Sequence, residues 1–470
     1  MRIFYIIILV SISHCLLGQK ATPIALVGGR VIPADGTVME DGVVIFQNGM
    51  ITQVGQRNKI KIPAHAIRVD VTGHTVIPGM IESNGHVTFD GQYDHGSYWP
   101  LKYDQLYAIG VRNLIADLRQ GITTIRDTFG PVEPMLQLKK SSNNGDIAGS
   151  RLFTCGLILN YGSFTELLNS EDLLASGIDK KLIVRASEAL SQPVNDVESG
   201  KKIIRDYAAK GIDFIKISAF SATGELPPTM PFNTLKELVK EAHRLGLRTT
   251  THAMSPASIE ASIDAGSDAI EHPEFVSGSV AGADTVITPE LARKMAKHKT
   301  YAIPLKIAFD IYERYYRNPT LLRSDPHHND VPPEMLDEGI RGVEHALKQN
   351  PTLANRFKRS DALFNTNLKT LMDAGVPIAM GTDRGTRLNY HQAGNHIDEL
   401  EIYVKLGMSP MDAIISATLR GAELLGQEKK LGSLTQGKLA DLVVVEGNPL
   451  ENIRNLDNVR MVFKEGVRYR

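Results

Sequence analysis

Eight short apolar runs along residues 78 to 430 constrain this chain more than any other feature: GMIESNGH, ITTIRD, RLFTCG, DFIKIS, RTTTHA, DAIEH, YAIPL and PIAMGTD. Helical patterns separate most of them, as in FNTLKELVKEAHRLG (232 to 246), where the apolar residues fall on one face and Gly246 marks the stop. Strand and helix in alternation is the pattern of parallel α/β architecture. Eight such strands predict a TIM-like (β/α)8 barrel over residues 78–430.

The residue that ends each run carries the chemistry. His86, Asp127, Lys216, His252, His272 and Asp383 each terminate or closely follow an apolar run, and in such a barrel these positions ring the C-terminal mouth, where active sites lie. Six ionisable groups brought together there are costly unless something pairs them, and a divalent metal is the natural partner. Imidazole and carboxylate donors suit zinc, iron or manganese, with one position left open for water. His252 and His272 stand twenty residues apart, the span of one β-helix-β unit. Lys216 in DFIKIS is expected to be buried beside positive charge, which favours the neutral, reactive amine. The alternative for Lys216 is a buried ion pair with Asp127 or Asp383. Asn84 stands two places before His86, on the same side of an extended chain.

Both ends are β-rich. Residues 22 to 77 hold short strand-like runs parted by turn signals such as Ala34-Asp35-Gly36 and Asn48-Gly49, the latter a tight-hairpin cue. LADLVVVEGNPL and VRMVFKEGVRY repeat that style in the last forty residues. One small β-domain built from residues 19–77 and 431–470 is the expectation. Residues 1–18, MRIFYIIILVSISHCLLG, have the layout of a signal peptide, with Arg2 before an apolar run too short to span a bilayer. Export to a periplasmic or extracellular space follows, with no stable membrane span. His14 before Cys15 disfavours lipid attachment, and Cys155 is then the single cysteine left, excluding an internal disulfide and a cysteine metal site. The 52 basic and 53 acidic side chains nearly cancel, so nucleic acid is not predicted as a partner and a small molecule is. Oligomeric state stays open, homo-oligomers included.

Residues 306 to 370 exceed a simple crossover and are read as either a covering insertion or a solvated excursion, with His327 and His328 on its surface. His391 and His396 follow the eighth run in a loop, as solvated histidines or, by the family resemblance set out next, as substrate contacts; Arg384 meets a substrate carboxylate or forms a structural ion pair.

VIPGMIESNGH resembles the first strand of the amidohydrolase superfamily, whose usual form is Pro-Gly-hydrophobic-Ile-Asp-x-His-x-His. GITTIRD, GIDFIKIS, HAMSPASIEASIDAGSDAIEH, MGTD and GSLTQGKLADLVVVEGNPLENI look like the remaining signatures, in order and over nearly the whole chain. The match is closest to the imidazolonepropionase-like and Xaa-Pro-dipeptidase-like branch. The resemblance implies a barrel with a β-sandwich domain from both termini, and hydrolysis of an amide, dipeptide or cyclic amide by a metal-activated water. Carried over residue by residue, it makes His86, His252 and His272 metal ligands, Lys216 a carbamylated lysine bridging two ions, and Asp383 a ligand and general base. Glu82 for the usual aspartate is a mild departure. Asn84 for the first histidine is a larger one: its neutral oxygen can approach an ion but is a poorer zinc ligand, which weakens the ion held with His86 and Asp383 more than the one held by Lys216, His252 and His272. Two zinc ions, one ion, and an inactive relative serving as a binding or scaffold protein all remain open.

Overall fold

The computed structural model describes residues 22–89, 102–161, 191–219, 230–275, 286–349, 351, 353–386 and 388–470; the signal-like residues 1–18 lie outside them. The chain opens with β1 (Ile24–Val31), β2 (Met39–Gln47), β3 (Met50–Gln56), β4 (Ile67–Asp70) and β5 (His74–Pro78). Asn48 and Gly49 join β2 to β3 with φ of +51° and +78°, the left-handed pair that a tight hairpin needs.

Parallel strands follow: β6 (Met80–Gly85), β7 (Ile122–Asp127) and β8 (Arg151–Thr154) in one sheet, then β9 (Ile158–Tyr161), β10 (Ser191–Val194), β11 (Phe214–Ser218), β12 (Arg248–His252), β13 (Ala269–Glu271) and β14 (Tyr301–Ile303) in another, ordered β10-β9-β11-β12-β13-β14. Seven of the eight expected runs thus become strands. The eighth, PIAMGTD, makes only isolated parallel bridges, Ala302 to Ile378 on one side and Gly85 to Arg384 on the other. Backbone bonds from Ser83 to Met380 (2.9 Å) and from Asp383 to Asn84 (2.9 Å) hold it against β6. At the other edge Asp213 N–H donates to the Thr154 carbonyl at 2.9 Å. β9 and β10 were not expected; β10 carries Pro193, which cannot donate to a ladder and suits its place at the sheet edge.

β15 (Leu442–Glu446), β16 (Val459–Lys464) and β17 (Val467–Arg468) close the chain, and β15 pairs antiparallel with β5 from Leu442 opposite Pro78 to Glu446 opposite His74. The two ends therefore share one sheet, β17-β16-β15-β5-β1-β2-β3, with β4 beside β1. Strand alternation puts Leu26, Val44, Val76, Leu442 and Phe463 in one apolar cluster and Ala25, Val27, Val43 and Ile45 in another.

Helices α1 (Tyr103–Arg119), α2 (Val132–Asn143), α3 (Val197–Lys210), α4 (Phe232–Arg244), α5 (Pro256–Ala265) and α6 (Pro289–His298) separate the parallel strands. α4 buries Leu235, Leu238, Val239 and Ala242, and Gly246 at φ +76° ends the segment as its sequence predicts. Leu114, Leu238, Ile259 and Met295 from the helices pack with Ile125, Leu152, Ile215 and Ile270 from the strands, each such side chain contributing about 1.5–3 kcal/mol on burial.

The segment after β14 is neither a solvated excursion nor a loop. It forms α7 (Lys306–Arg317), α8 (Leu321–Ser324), α9 (Pro333–Gln349) and α10 (Leu353–Asp373). Ile311, Tyr312, Tyr315, Leu322 and Tyr390 give it a core of its own. His328, expected at the surface, is buried: its Nδ1 faces the Leu322 carbonyl at 2.9 Å, and Tyr315 and Tyr390 pack against its ring. No helix among the described residues is long and apolar enough to cross a membrane.

Candidate active site

The parallel strands deliver the expected residues to one end. His252 ends β12 opposite Ser218 of β11 and Glu271 of β13, and His272 follows Glu271 directly. Asp383 lies in the segment bridged to β6, and its carboxylate Oδ1 is 2.9 Å from His86 Nε2. The rings of His252 and His272 meet edge to face at 4.4 Å between centroids. His272 and Asp383 both have left-handed backbone, φ +41° and +60°, a conformation that costs on the order of 1–3 kcal/mol and concentrates at functional sites. Lys216 is buried in β11, and among the described residues neither Asp127 nor Asp383 forms an ion pair with it.

Burial, then the neighbouring His272 and Lys216, push the His252 imidazole well below its usual range. Burial and the Lys216 ammonium bring His272 down to about 3. Both rings are thus neutral at pH 7 and offer lone pairs. Burial pushes the Asp383 carboxyl up, but the hydrogen bond and charge of His86, with Lys216 and His272, outweigh it and hold the group below its ordinary value. Asp127 accepts the backbone N–H groups of Val87 (2.7 Å) and Phe129 (3.1 Å) and so ties down the turn that carries His86.

The expected set does not gather into one cluster. Among the described residues no three His, Cys, Asp or Glu side chains stand together as a metal site; the mouth divides into His86 with Asp383, and His252 with His272 beside Lys216. Asn84, expected beside His86 as a ligand, has both ends of its amide hydrogen-bonded to other side chains. Its amide nitrogen donates to Glu271 Oε2 at 2.9 Å and its oxygen accepts from Thr128 Oγ1 at 2.6 Å. Glu271 Oε1 is held in turn by Arg126 (2.8 Å) and Thr250 (2.7 Å). Asn84 is therefore a member of a buried polar network. Glu82, also buried, fastens the bridging segment by accepting from Thr382 N (2.9 Å), Thr382 Oγ1 (2.8 Å) and Asn84 N (3.0 Å).

Three substrate-contact assignments are corrected as well. Arg384 is fully buried and ion-paired with Asp117 of α1, with its Nε 3.6 Å from Glu82. His391 Nδ1 faces Asp117 at 2.7 Å and its Nε2 faces the His86 carbonyl at 3.1 Å. His396 is buried with Nδ1 3.2 Å from Arg384 Nη2. Packing of the loop against α1 seals all three away from solvent, so they brace the His86 turn and the Asp383 segment. Gly385 makes the approach possible: at φ +95° a Cβ there would run into the His86 carbonyl and lie 2.8 Å from His391 Nε2.

Sequence reasoning also missed Glu274 and Glu399. Glu274 Oε1 accepts Leu305 N–H (2.7 Å), and Glu399 accepts Lys306 N–H (3.3 Å) and Ile307 N–H (2.6 Å), so both carboxyls hold the start of α7. Burial pushes Glu274 up to about 8, and Glu399 well above its usual range, with the Glu274 charge adding to it. A carboxyl raised in the folded state binds more protons than the unfolded chain does. Its contribution is full below its ordinary value of 4.5 and is lost as pH rises to about 8. Glu274→Gln is expected to flatten the fall in urea midpoint between pH 5 and pH 8 relative to wild type; an unchanged slope would mean that Glu274 is ionised throughout.

Comparison with known proteins bears directly on this arrangement. The model of the amidohydrolase family matches residues 75–468. The chain belongs to the amidohydrolase family. It is 25% identical to the ochratoxinase of Aspergillus niger, over 93% of this chain and 84% of that one. To the imidazolonepropionase of Geobacillus kaustophilus it is 23% identical, over 91% and 88%. A crystal structure of a Xaa-Pro dipeptidase with bound methionine in the active site superposes with a TM-score of 0.74 at 22% identity, covering 95% of this chain and all of that one, a likeness of fold. As an amidohydrolase the protein is a hydrolase acting on carbon-nitrogen bonds. Divalent metals are general to the family, and part of the mouth fits one: buried His272 Nδ1 has no hydrogen-bond partner among the described residues, and the adjacent His252 is a second neutral imidazole.

Proposed function

We propose that this amidohydrolase cleaves the amide bond of a small peptide-like, N-acylated or cyclic-amide substrate, at the mouth of a (β/α)8 barrel into which its two parallel sheets close. The observation that carries the reading is the presence, at strand C-terminal ends, of two pairs, hydrogen-bonded His86 and Asp383 and the edge-to-face His252 and His272, near enough that the charges of Lys216 and His272 act on Asp383. Support for closure comes from the single bridges of the 378–384 segment to β14 and β6 and from the Asp213 to Thr154 bond. A β-sandwich domain from both ends belongs to the same reading, supported by their shared sheet.

His252, His272 and Lys216, the last as its carbamate, would hold a divalent ion, zinc being the first candidate; bound there it would polarise the scissile carbonyl and acidify a water. The carbamate requires the Lys216 amine nitrogen to bond to the carbon of carbon dioxide and release one proton. A buried lysine without an ion pair among the described residues suits that reaction. Asp383 is the general base: its carboxylate takes a proton from the attacking water and returns it to the leaving nitrogen as the carbon-nitrogen bond breaks. His86 Nε2 lies 2.9 Å from Oδ1, and the Thr386 hydroxyl shares its one proton between the Asp383 main-chain carbonyl at 2.6 Å and Oδ2 at 2.9 Å, contacts that position the carboxylate. The names of the relatives, a dipeptidase among them, favour small amides. Export is part of the proposal, on the layout of residues 1–18, and N-terminal sequencing of protein recovered outside the cytoplasm checks it.

The test is turnover of a panel of Xaa-Pro dipeptides, N-acyl amino acids and cyclic amides by purified protein. Hydrolysis that a chelator abolishes and added zinc restores is the expected result. No turnover together with no bound metal after metal-supplemented growth would overturn the reading in favour of a scaffold that kept the fold.

A further inference from the structure

We infer that the N-terminal face of the parallel strands, opposite the mouth, carries a binding site for one small, multiply charged oxyanion of the phosphate type, held by Arg248, His298 and Lys299.

A cavity of about 110 Å3 opens there, lined by Arg248 where β12 begins, by Gly266 and Asp268 ahead of β13, and by His298, Lys299 and Tyr301 where α6 gives way to β14. His252 and His272 stand at the opposite ends of β12 and β13. The volume takes one small ion with its water and falls short of the roughly 300–1,000 Å3 that larger ligands occupy.

Charge in the lining is uneven. Asp268 is the one carboxylate among the lining residues, and its oxygens are largely taken. Its Oδ2 faces His243 Nε2 at 2.8 Å and accepts the Thr249 N–H at 2.8 Å, while Oδ1 is 3.8 Å from Arg248 Nη1, beyond hydrogen-bond reach. Nearby, Tyr301 donates its hydroxyl to Glu423 at 3.0 Å, and Arg420 meets the same carboxylate at 2.7 Å. Neither His298 nor Lys299 forms an ion pair among the described residues. The main-chain donors are spent, Gly266 N–H on the Ile263 carbonyl, Ser267 on Ser262, Lys299 on Ala296 and Thr300 on Met295. A guest must therefore be held by side chains. One that accepts in several directions, as a tetrahedral oxyanion does, matches a guanidinium fork and an ammonium together.

Lys299 carries a second argument. It caps α6 in the left-handed region at φ +55°, the conformation that Gly211 and Gly266 take at the ends of α3 and α5. A side chain at such a cap costs free energy that glycine avoids. Lys297 and His298 already give the last turn of α6 its cations, and the helix dipole fades beyond that turn. What Lys299 adds is an ammonium on the cavity. An anion joining it to Arg248 ties the start of β12 to the start of β14, the strands on either side of β13.

The experiment is calorimetric titration of the full chain with inorganic phosphate, sulfate and acetate, at ionic strength held constant with chloride, beside thermal melts in the same series. Phosphate and sulfate are expected to bind at one site and raise the melting midpoint, with acetate about tenfold weaker or more. Lys299→Gly relieves the left-handed backbone, so its midpoint without phosphate is expected at or above that of wild type. Its affinity for phosphate falls about tenfold or more, the loss of one charge-assisted hydrogen bond, and Arg248→Gln weakens binding likewise. No heat of binding in wild type, a midpoint shift that chloride reproduces, or acetate binding as tightly as phosphate would each overturn the inference. So would undiminished phosphate affinity in Lys299→Gly, which would put the ion elsewhere on the molecule.

Discussion

Asp383→Asn is expected to lower kcat by about 10²–10⁴-fold, the range by which a positioned acid-base group accelerates proton transfer, while leaving the fold and the bound ion in place. Asparagine is the discriminating replacement because the backbone here is left-handed, at φ +60°, a region asparagine tolerates almost as well as aspartate. Its side-chain oxygen can still accept from His86 Nε2, and its NH2 can meet the Thr386 hydroxyl that now donates to Oδ2. Only the ability to take up a proton is removed. The surrounding charges bear on the same point: His86, Lys216 and His272 hold the wild-type carboxyl below its ordinary value, so the base is ionised at any pH where the protein would work. Steady-state kinetics on the best substrate of the amide panel, with a melting curve and metal content for each protein, reads the effect. A variant within about threefold of wild type would remove Asp383 from the chemistry and leave it as a brace for the segment that carries it.

Much of this architecture can be read in the chain because it follows local rules. Apolar runs with turn signals between them become strands, the Asn48-Gly49 pair becomes the hairpin that only left-handed residues allow, and α4 stops at Gly246. The strand-end residues His86, Lys216, His252, His272 and Asp383 do come to one end of the parallel strands, since a polar residue at the close of a buried run has nowhere else to go. What could not be read is which of these groups are already spent on one another. Asn84 meets Glu271 across 187 residues and Arg384 meets Asp117 across 267, distances over which a sequence pattern carries no register. The eighth run keeps parallel backbone bonds to its neighbours, Ala379 N–H to the Ala302 carbonyl at 3.0 Å and Ser83 N–H to the Met380 carbonyl at 2.9 Å, but only single bridges to β14 and β6, a break in the ladder that its apolar sequence does not signal. One signal was available. On α1 the buried stripe runs Leu106, Gly110, Asn113, Leu114, Asp117 and Leu118, so two polar residues stand on an apolar face. Each answers a buried group elsewhere, Asn113 donating to the Val87 and Phe89 carbonyls at 2.9 Å and 2.7 Å and Asp117 receiving Arg384 and His391.

That second polar residue supports the largest stability effect to be expected here. Asp117→Ala removes the carboxylate that faces both the fully buried Arg384 guanidinium and His391 Nδ1. The other neighbours of Arg384 are weak substitutes: Glu82 is 3.6 Å from Nε, the Ala393 carbonyl 3.3 Å from Nη2, and His396 Nδ1 3.2 Å from the same atom. Stranding one partner of a buried ion pair costs about 3–5 kcal/mol, more than the pair itself contributes, because the remaining charge stays desolvated. The loss also reaches the mouth, since His391 Nε2 holds the carbonyl of His86 and Arg384 adjoins Asp383 in the chain. Asp117→Asn keeps an oxygen for Arg384 and is expected to lose clearly less than the alanine variant. Urea unfolding of the three proteins at pH 7 gives the order, wild type above asparagine above alanine. An alanine variant within about 1 kcal/mol of wild type, below the cost expected for an uncompensated buried charge, would mean that Glu82 takes over the guanidinium and that the brace behind His86 is redundant.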